Sequence, residues 1–188
     1  MSPILRRAAF AGMILSALAT VPVCAQTGAS APAQTAPQAK LYGDWGVRCY
    51  SPGSASPCEM QELVTQNKTG QRVMSTSIAY APAQNRYIFQ LAVPLGVSLA
   101  KGARIVADGY NGAPMAFRRC DRGGCYVEGL IDTKALDALQ AATGPAKIQI
   151  ASPNGRSLEL PFSLRGFADA RKAMTDMARD KASASGDK

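Results

Sequence analysis

The residues of this chain with types suited to chemistry are its five cysteines, a few acids beside turns or aromatic residues, and a knot of arginines. Histidine is absent, which removes the commonest general base, the commonest metal ligand and the usual pH switch. Cys24 sits in a segment that reads as an export signal, leaving Cys49, Cys58, Cys120 and Cys125. An even number of cysteines in an exported chain points to a disulfide framework. Three pairings are possible, and hairpin geometry selects the local one. Cys120 and Cys125 stand at the feet of Asp121-Arg122-Gly123-Gly124. In a hairpin looped by those four residues they oppose each other at about 4.5–5.5 Å between Cα atoms, which a disulfide accepts. Cys49 and Cys58 bracket a Ser/Pro/Gly loop in the same way. Metal binding would call for shorter ligand spacings, typically paired Cys-x-x-Cys, and redox catalysis for two residues between the cysteines. The four cysteines are therefore expected to be structural staples, with no metal and no cofactor.

Paired carboxylates can hydrolyse or eliminate without histidine, and Asp44, Asp108, Asp121 and Glu128 are the acids placed to try. Asp108 precedes Gly109 and Asp121 opens a turn, where Asp is at home for conformational reasons alone. Arg118, Arg119 and Arg122, with Tyr126, form a candidate cationic contact patch at the hairpin. Charges there also guard a sheet edge against aggregation, which is the competing explanation.

The elements that carry these groups are short strands. Residues 1–25 have the form of a secretory signal: Arg6-Arg7, an apolar run from Ala8 to Val21, and Val23-Cys24-Ala25 as the cleavage site. The run is too short to span a membrane. Acylation of Cys24 is the lipoprotein alternative to its removal with the signal. Residues 26–40 lack any large apolar side chain and are expected to be a disordered linker.

From Leu41 the chain alternates. Tyr42 to Cys49 reads as one strand with Trp45, Val47 and Cys49 on a shared face, Trp45 plugging the core. Strands are expected at 59–66, 72–80, 86–93 and 103–108, then at both arms of the Cys120/Cys125 hairpin, and at 147–151 and 157–164. Asn111-Gly112 is read as a turn. Asp132 should cap a short helix with Leu136 and Leu139 inward. Phe167, Ala170, Met174 and Met177 repeat at helical spacing, ahead of a frayed basic end from Lys181 to Lys188. Nine or ten short strands with two helices predict an all-β, mainly antiparallel single domain at 41–170, a β-sandwich or barrel, with a helical tail over 171–188.

The ordered set of motifs resembles the invasion-associated locus B family of exported bacterial proteins. It comprises Tyr42-Gly43-Asp44-Trp45 with Cys49; Cys58-Glu59-Met60; Val93-Pro94-Leu95-Gly96-Val97 with Gly102 and Asp108; Phe117 with Cys120 and Gly124-Cys125; and Leu160-Pro161-Phe162-Ser163-Leu164-Arg165-Gly166-Phe167. The resemblance implies a small periplasmic or envelope-associated β-rich domain, linked in its founding members to entry into host cells. It supplies no catalytic residues.

The expected function is thus non-enzymatic: a periplasmic or envelope-associated binding or accessory module supporting host-cell interaction or invasion. Its partner would be an envelope or host protein, a glycan or a lipid. The alternatives for location are outer-membrane association and secretion. An envelope hydrolase using paired carboxylates is the alternative function. The net charge of +8 falls to +6 once Arg6 and Arg7 are removed, leaving 19 basic against 13 acidic residues. Export, and basic residues scattered rather than aligned with aromatics, argue against a nucleic-acid partner.

Overall fold

The structure, a computed structural model, describes residues 38–50 and 53–186. The expected signal at 1–25 and nearly all of the expected linker lie outside the described residues. β1 (Lys40–Tyr42), β2 (Trp45–Cys49), β3 (Cys58–Thr65), β4 (Arg72–Ala81) and β5 (Arg86–Val93) follow one another as a meander. β6 (Arg104–Ala107) and β7 (Tyr110–Asn111) cross to a second sheet, and β8 (Phe117–Asp121) and β9 (Gly124–Ile131) return to the first. Helix α1 (Thr133–Ala141), strands β10 (Ala146–Ala151) and β11 (Ser157–Phe162) and helix α2 (Phe167–Gly186) complete the chain. The sheets have orders β1-β2-β3-β4-β5-β9-β8 and β11-β10-β6-β7. Every pairing is antiparallel, and neither sheet closes into a barrel. The sandwich-like form of the expected β fold is the one adopted.

Alternation explains the layers. In β5, Tyr87, Phe89, Leu91 and Val93 are buried while Arg86 and Gln90 face out. Trp45, Met60, Ile78 and Phe89 of the large sheet join Ile105 and Ile148 of the small one, and Leu136, Leu139, Phe167 and Met174 of the helices, in a single core. Burying each such side chain contributes roughly 1.5–3 kcal/mol. α1 starts where expected, because the Asp132 carboxylate accepts the Ala135 N–H at 2.6 Å.

Several boundaries differ from the sequence expectation. Tyr42 to Cys49 is two strands, because Gly43-Asp44 makes a turn that folds β1 back on β2, and Lys40 already pairs with Val47. The bend before β7 falls at Asp108-Gly109, where Gly109 has φ 71°, and Asn111 is in the ladder opposite Val106. The cysteine hairpin is tighter than a four-residue loop: Asp121 pairs with Gly124, leaving only Arg122-Gly123 unpaired. In α2 the buried stripe is Phe167, Ala170, Met174 and Ala178, while Met177 is 37% exposed. A three-residue step after Met174 swings the side chain off the face that the four-residue step keeps. The helix also runs to Gly186, into the stretch expected to fray, where Ser183 donates its hydroxyl back to the Arg179 carbonyl at 3.1 Å.

Candidate functional site

Of the three possible pairings the structure has the local one, with the opposed cysteines closer than the expected separation of about 4.5–5.5 Å. Cys49–Cys58 and Cys120–Cys125 each bridge directly opposed residues with Cα atoms 4.0 Å apart.

The second staple closes the hairpin whose tip carries the candidate patch, and the structure divides that patch. Arg119 is held on three sides: it donates to Asp121 at 2.6 Å and to Glu128 at 3.2 Å, and its guanidinium lies 3.9 Å from the Tyr126 ring centroid. Arg118 donates to the Glu128 carbonyl oxygen at 3.3 Å. Neither Arg118 nor Arg122 has an ion-pair partner among the described residues, and Arg122 alone of the three makes no hydrogen bond there either. It lines a cleft of about 520 Å³ together with Arg72, Val73, Pro94 and Leu95. Arg72 donates to the Gly123 carbonyl at 3.2 Å, which pins β4 to the hairpin tip. The cationic surface is therefore Arg72 with Arg122. Arg72 and Leu95 escaped the sequence analysis because only strand order brings the start of β4 and the end of β5 beside this turn.

The candidate acids do not converge. Asp121 accepts the Gly123 N–H at 2.7 Å and the Tyr126 hydroxyl at 3.1 Å, and these bonds, with Arg119, hold its carboxyl below the usual range. Asp44 is held low by Arg165 and by the Ser163 hydroxyl, which donates at 2.6 Å. Glu128 is paired with Arg119, and Asp108 lies at the β6–β7 turn of the other sheet.

The acid in an unusual state is one that the sequence analysis passed over. Glu62 is 4% exposed and faces inward from β3 in line with Cys58 and Met60. Burial pushes its pKa up to about 7; the Ser163 N–H, donating at 2.9 Å, opposes that rise, and the Asp44 charge adds to it. Its other oxygen and the Thr76 hydroxyl, directly opposite on β4, have no hydrogen-bond partner among the described residues. Glu62 continues the Cys58–Met60 alternation by one more step, which puts it on their face of the strand and is the one signal of it in the sequence. Glu62 lines none of the clefts described, and its contacts are those of a structural clasp: Trp45 also reaches Ser163, donating Nε1–H to its carbonyl at 2.9 Å.

Among the described residues no group of three or more Cys, Asp or Glu is arranged to hold a metal, and no helix is long and apolar enough to cross a membrane. Fold and site define a small, doubly stapled, antiparallel β domain with a cationic cleft at one end. Residues 45–175 match the family described as Invasion associated locus B (IalB) protein, and the chain belongs to that family. It is 30% identical over 142 residues to the invasion protein B homolog of Brucella abortus (strain 2308), covering 76% of this chain and 82% of the relative. The homolog in Brucella abortus biovar 1 (strain 9-941) matches to the same extent. In fold it is similar to the crystal structure of invasion associated protein B from Bartonella henselae. That match has a TM-score of 0.65 and 24% identity, and covers 76% of this chain and 97% of the other.

Proposed function

We propose that this protein is an exported, non-enzymatic accessory module of the cell envelope that acts by binding, with its contact surface at the tip of the β8–β9 hairpin. The observation that carries the proposal is the Arg72–Arg122 cleft: it is lined by two cations and no acid, and Arg122 is unpaired. Asp44, Asp121 and Glu128 are by contrast engaged with neighbouring arginines, an arrangement that stabilises turns and leaves no pair poised for acid–base work. Two local disulfides suit a domain that folds and works in an oxidising compartment. The relatives' names link the family to invasion, and support of host-cell entry from the envelope is the role we assign by that kinship.

The test is envelope retention. Wild-type protein should stay with the washed envelope fraction at low salt and be released at high salt. The R72S/R122S variant should be released at low salt. Retention of the variant equal to wild type would remove this surface from the function.

A further inference from the structure

One end of the large sheet is built unlike the other. The β3–β4 turn, the loop after β5 and the β8–β9 turn all project there, because β3 and β8 end, and β4 and β9 begin, at that edge. They bring Arg72 and Arg122 to one cleft, and Lys68 lies in the β3–β4 turn at the same end. The acids in turns at this end are neutralised internally, Asp44 by Arg165 and Asp121 by Arg119. Leu95, 58% exposed in the loop that Pro94 starts by breaking β5, lines the same cleft, with Val73 and Pro94 as its other apolar lining. What sets Leu95 apart from the other exposed leucines is its place in one cleft with two arginines and no acid.

We infer that this end of the sheet docks on an anionic phospholipid surface, Arg72 and Arg122 taking the phosphate of a headgroup in the cleft while Leu95 enters the acyl boundary. The inference rests on the hairpin tip being the contact surface, and adds to that proposal the chemistry of what it meets. Guanidinium groups pair with phosphate oxygens through forked N–H donors. Leu95 supplies apolar insertion, which coulombic attraction to a soluble anion would not use. An acidic peptide would satisfy the arginines but leave Leu95 and Pro94 without a purpose unless it also carried apolar groups. The cleft is open rather than walled, as suits a surface met from one side.

The test is co-sedimentation of the purified exported protein with vesicles of phosphatidylcholine mixed with phosphatidylglycerol, against phosphatidylcholine alone. Association should require phosphatidylglycerol and weaken with salt. Each basic residue at an anionic membrane is worth about fivefold in partitioning, so R72S/R122S should lose about 25-fold. L95S should weaken binding at low and high salt alike. R86S removes one charge at the opposite end of β5 and should bind as wild type does. Unchanged Trp45 fluorescence establishes that each variant is folded. Equal loss in R86S would overturn the inference, because net charge rather than a site would then explain binding. Displacement by inorganic phosphate at equal phosphate concentration would overturn it in favour of a soluble phosphoanion. Absence of vesicle binding, with envelope retention still dependent on Arg72 and Arg122, would overturn the lipid inference and leave the contact surface in place. Loss of neither in R72S/R122S would overturn both.

Discussion

Glu62 on β3 accepts the backbone N–H of Ser163 at 2.9 Å across a sequence separation of 101 residues, and so ties the large sheet to the segment that leads into α2. Trp45 clasps the carbonyl of the same residue, and its ring meets Phe162 and Phe167 edge-on at 5.5 and 5.4 Å. The junction between the sheet and the C-terminal helix is thus a buried polar clasp set among aromatic rings.

That clasp makes stability depend on pH. The Glu62 carboxyl holds its proton up to about pH 7 in the folded protein, against an ordinary value of 4.5. The folded state therefore binds the proton more tightly. Its contribution is complete below the ordinary value, declines as pH rises, and is gone above about 7. The gap corresponds to about 3 kcal/mol. Asp44, held low by Arg165, has the opposite sign: its contribution is lost as pH falls through its lowered value. Urea unfolding followed by Trp45 fluorescence should show stability falling between pH 5 and pH 7, a window set by those two values. E62Q should flatten that slope and be the more stable protein at alkaline pH. A slope that persists in E62Q would assign the effect to another group.

Gly43 and Gly166 approach backbone to backbone. Each has positive φ, 58° and 79°, and a Cβ on either would run into the other's segment, at the carbonyl of Arg165 or of Tyr42. Neither alanine variant has room, since the obstructing atoms are main chain. G43A and G166A should each cost about 2 kcal/mol or more in thermal or urea unfolding, whereas G70A, also at positive φ but in open space, should cost about 1 kcal/mol.

The staples close short loops, with sequence separations of 9 and 5 residues. Loop-closure entropy assigns about 2.5 kcal/mol to Cys49–Cys58 and about 2 kcal/mol to Cys120–Cys125. The C49S/C58S and C120S/C125S variants should lose these amounts, additively in the quadruple variant because the hairpins share no partner. Loss of Cys120–Cys125 should also loosen the Arg122 turn, so vesicle association should fall in that variant and hold in the other.

The register of α2 can be read by charge insertion. A178E places a carboxyl where the side chain is 0% exposed, and should destabilise by about 3 kcal/mol or more. M177E, one residue earlier, should be tolerated within about 0.5 kcal/mol. The reverse order would restore the Met177 face that simple spacing suggests.

Much of this protein was legible as a string. Opposed cysteines at hairpin feet, alternation from Tyr87 to Val93 and the Asp132 cap are local patterns, set by residues a few positions apart, and local sterics and hydrogen bonding decide them. So too is the ordered motif set that marks the family. What the chain alone left open was which distant turns meet. Glu62 is a buried acid only because Ser163 and Trp45 close over it. Arg119 leaves the contact patch only because Asp121, Tyr126 and Glu128 surround it. Arg72 and Leu95 join Arg122 only because β9 pairs with the distant β5 on one side as well as with its hairpin partner β8 on the other. Strand order is set by the long-range burial of a shared apolar face, to which every strand contributes and which no single stretch encodes. The cleft, the clasp and the glycine contact are its products.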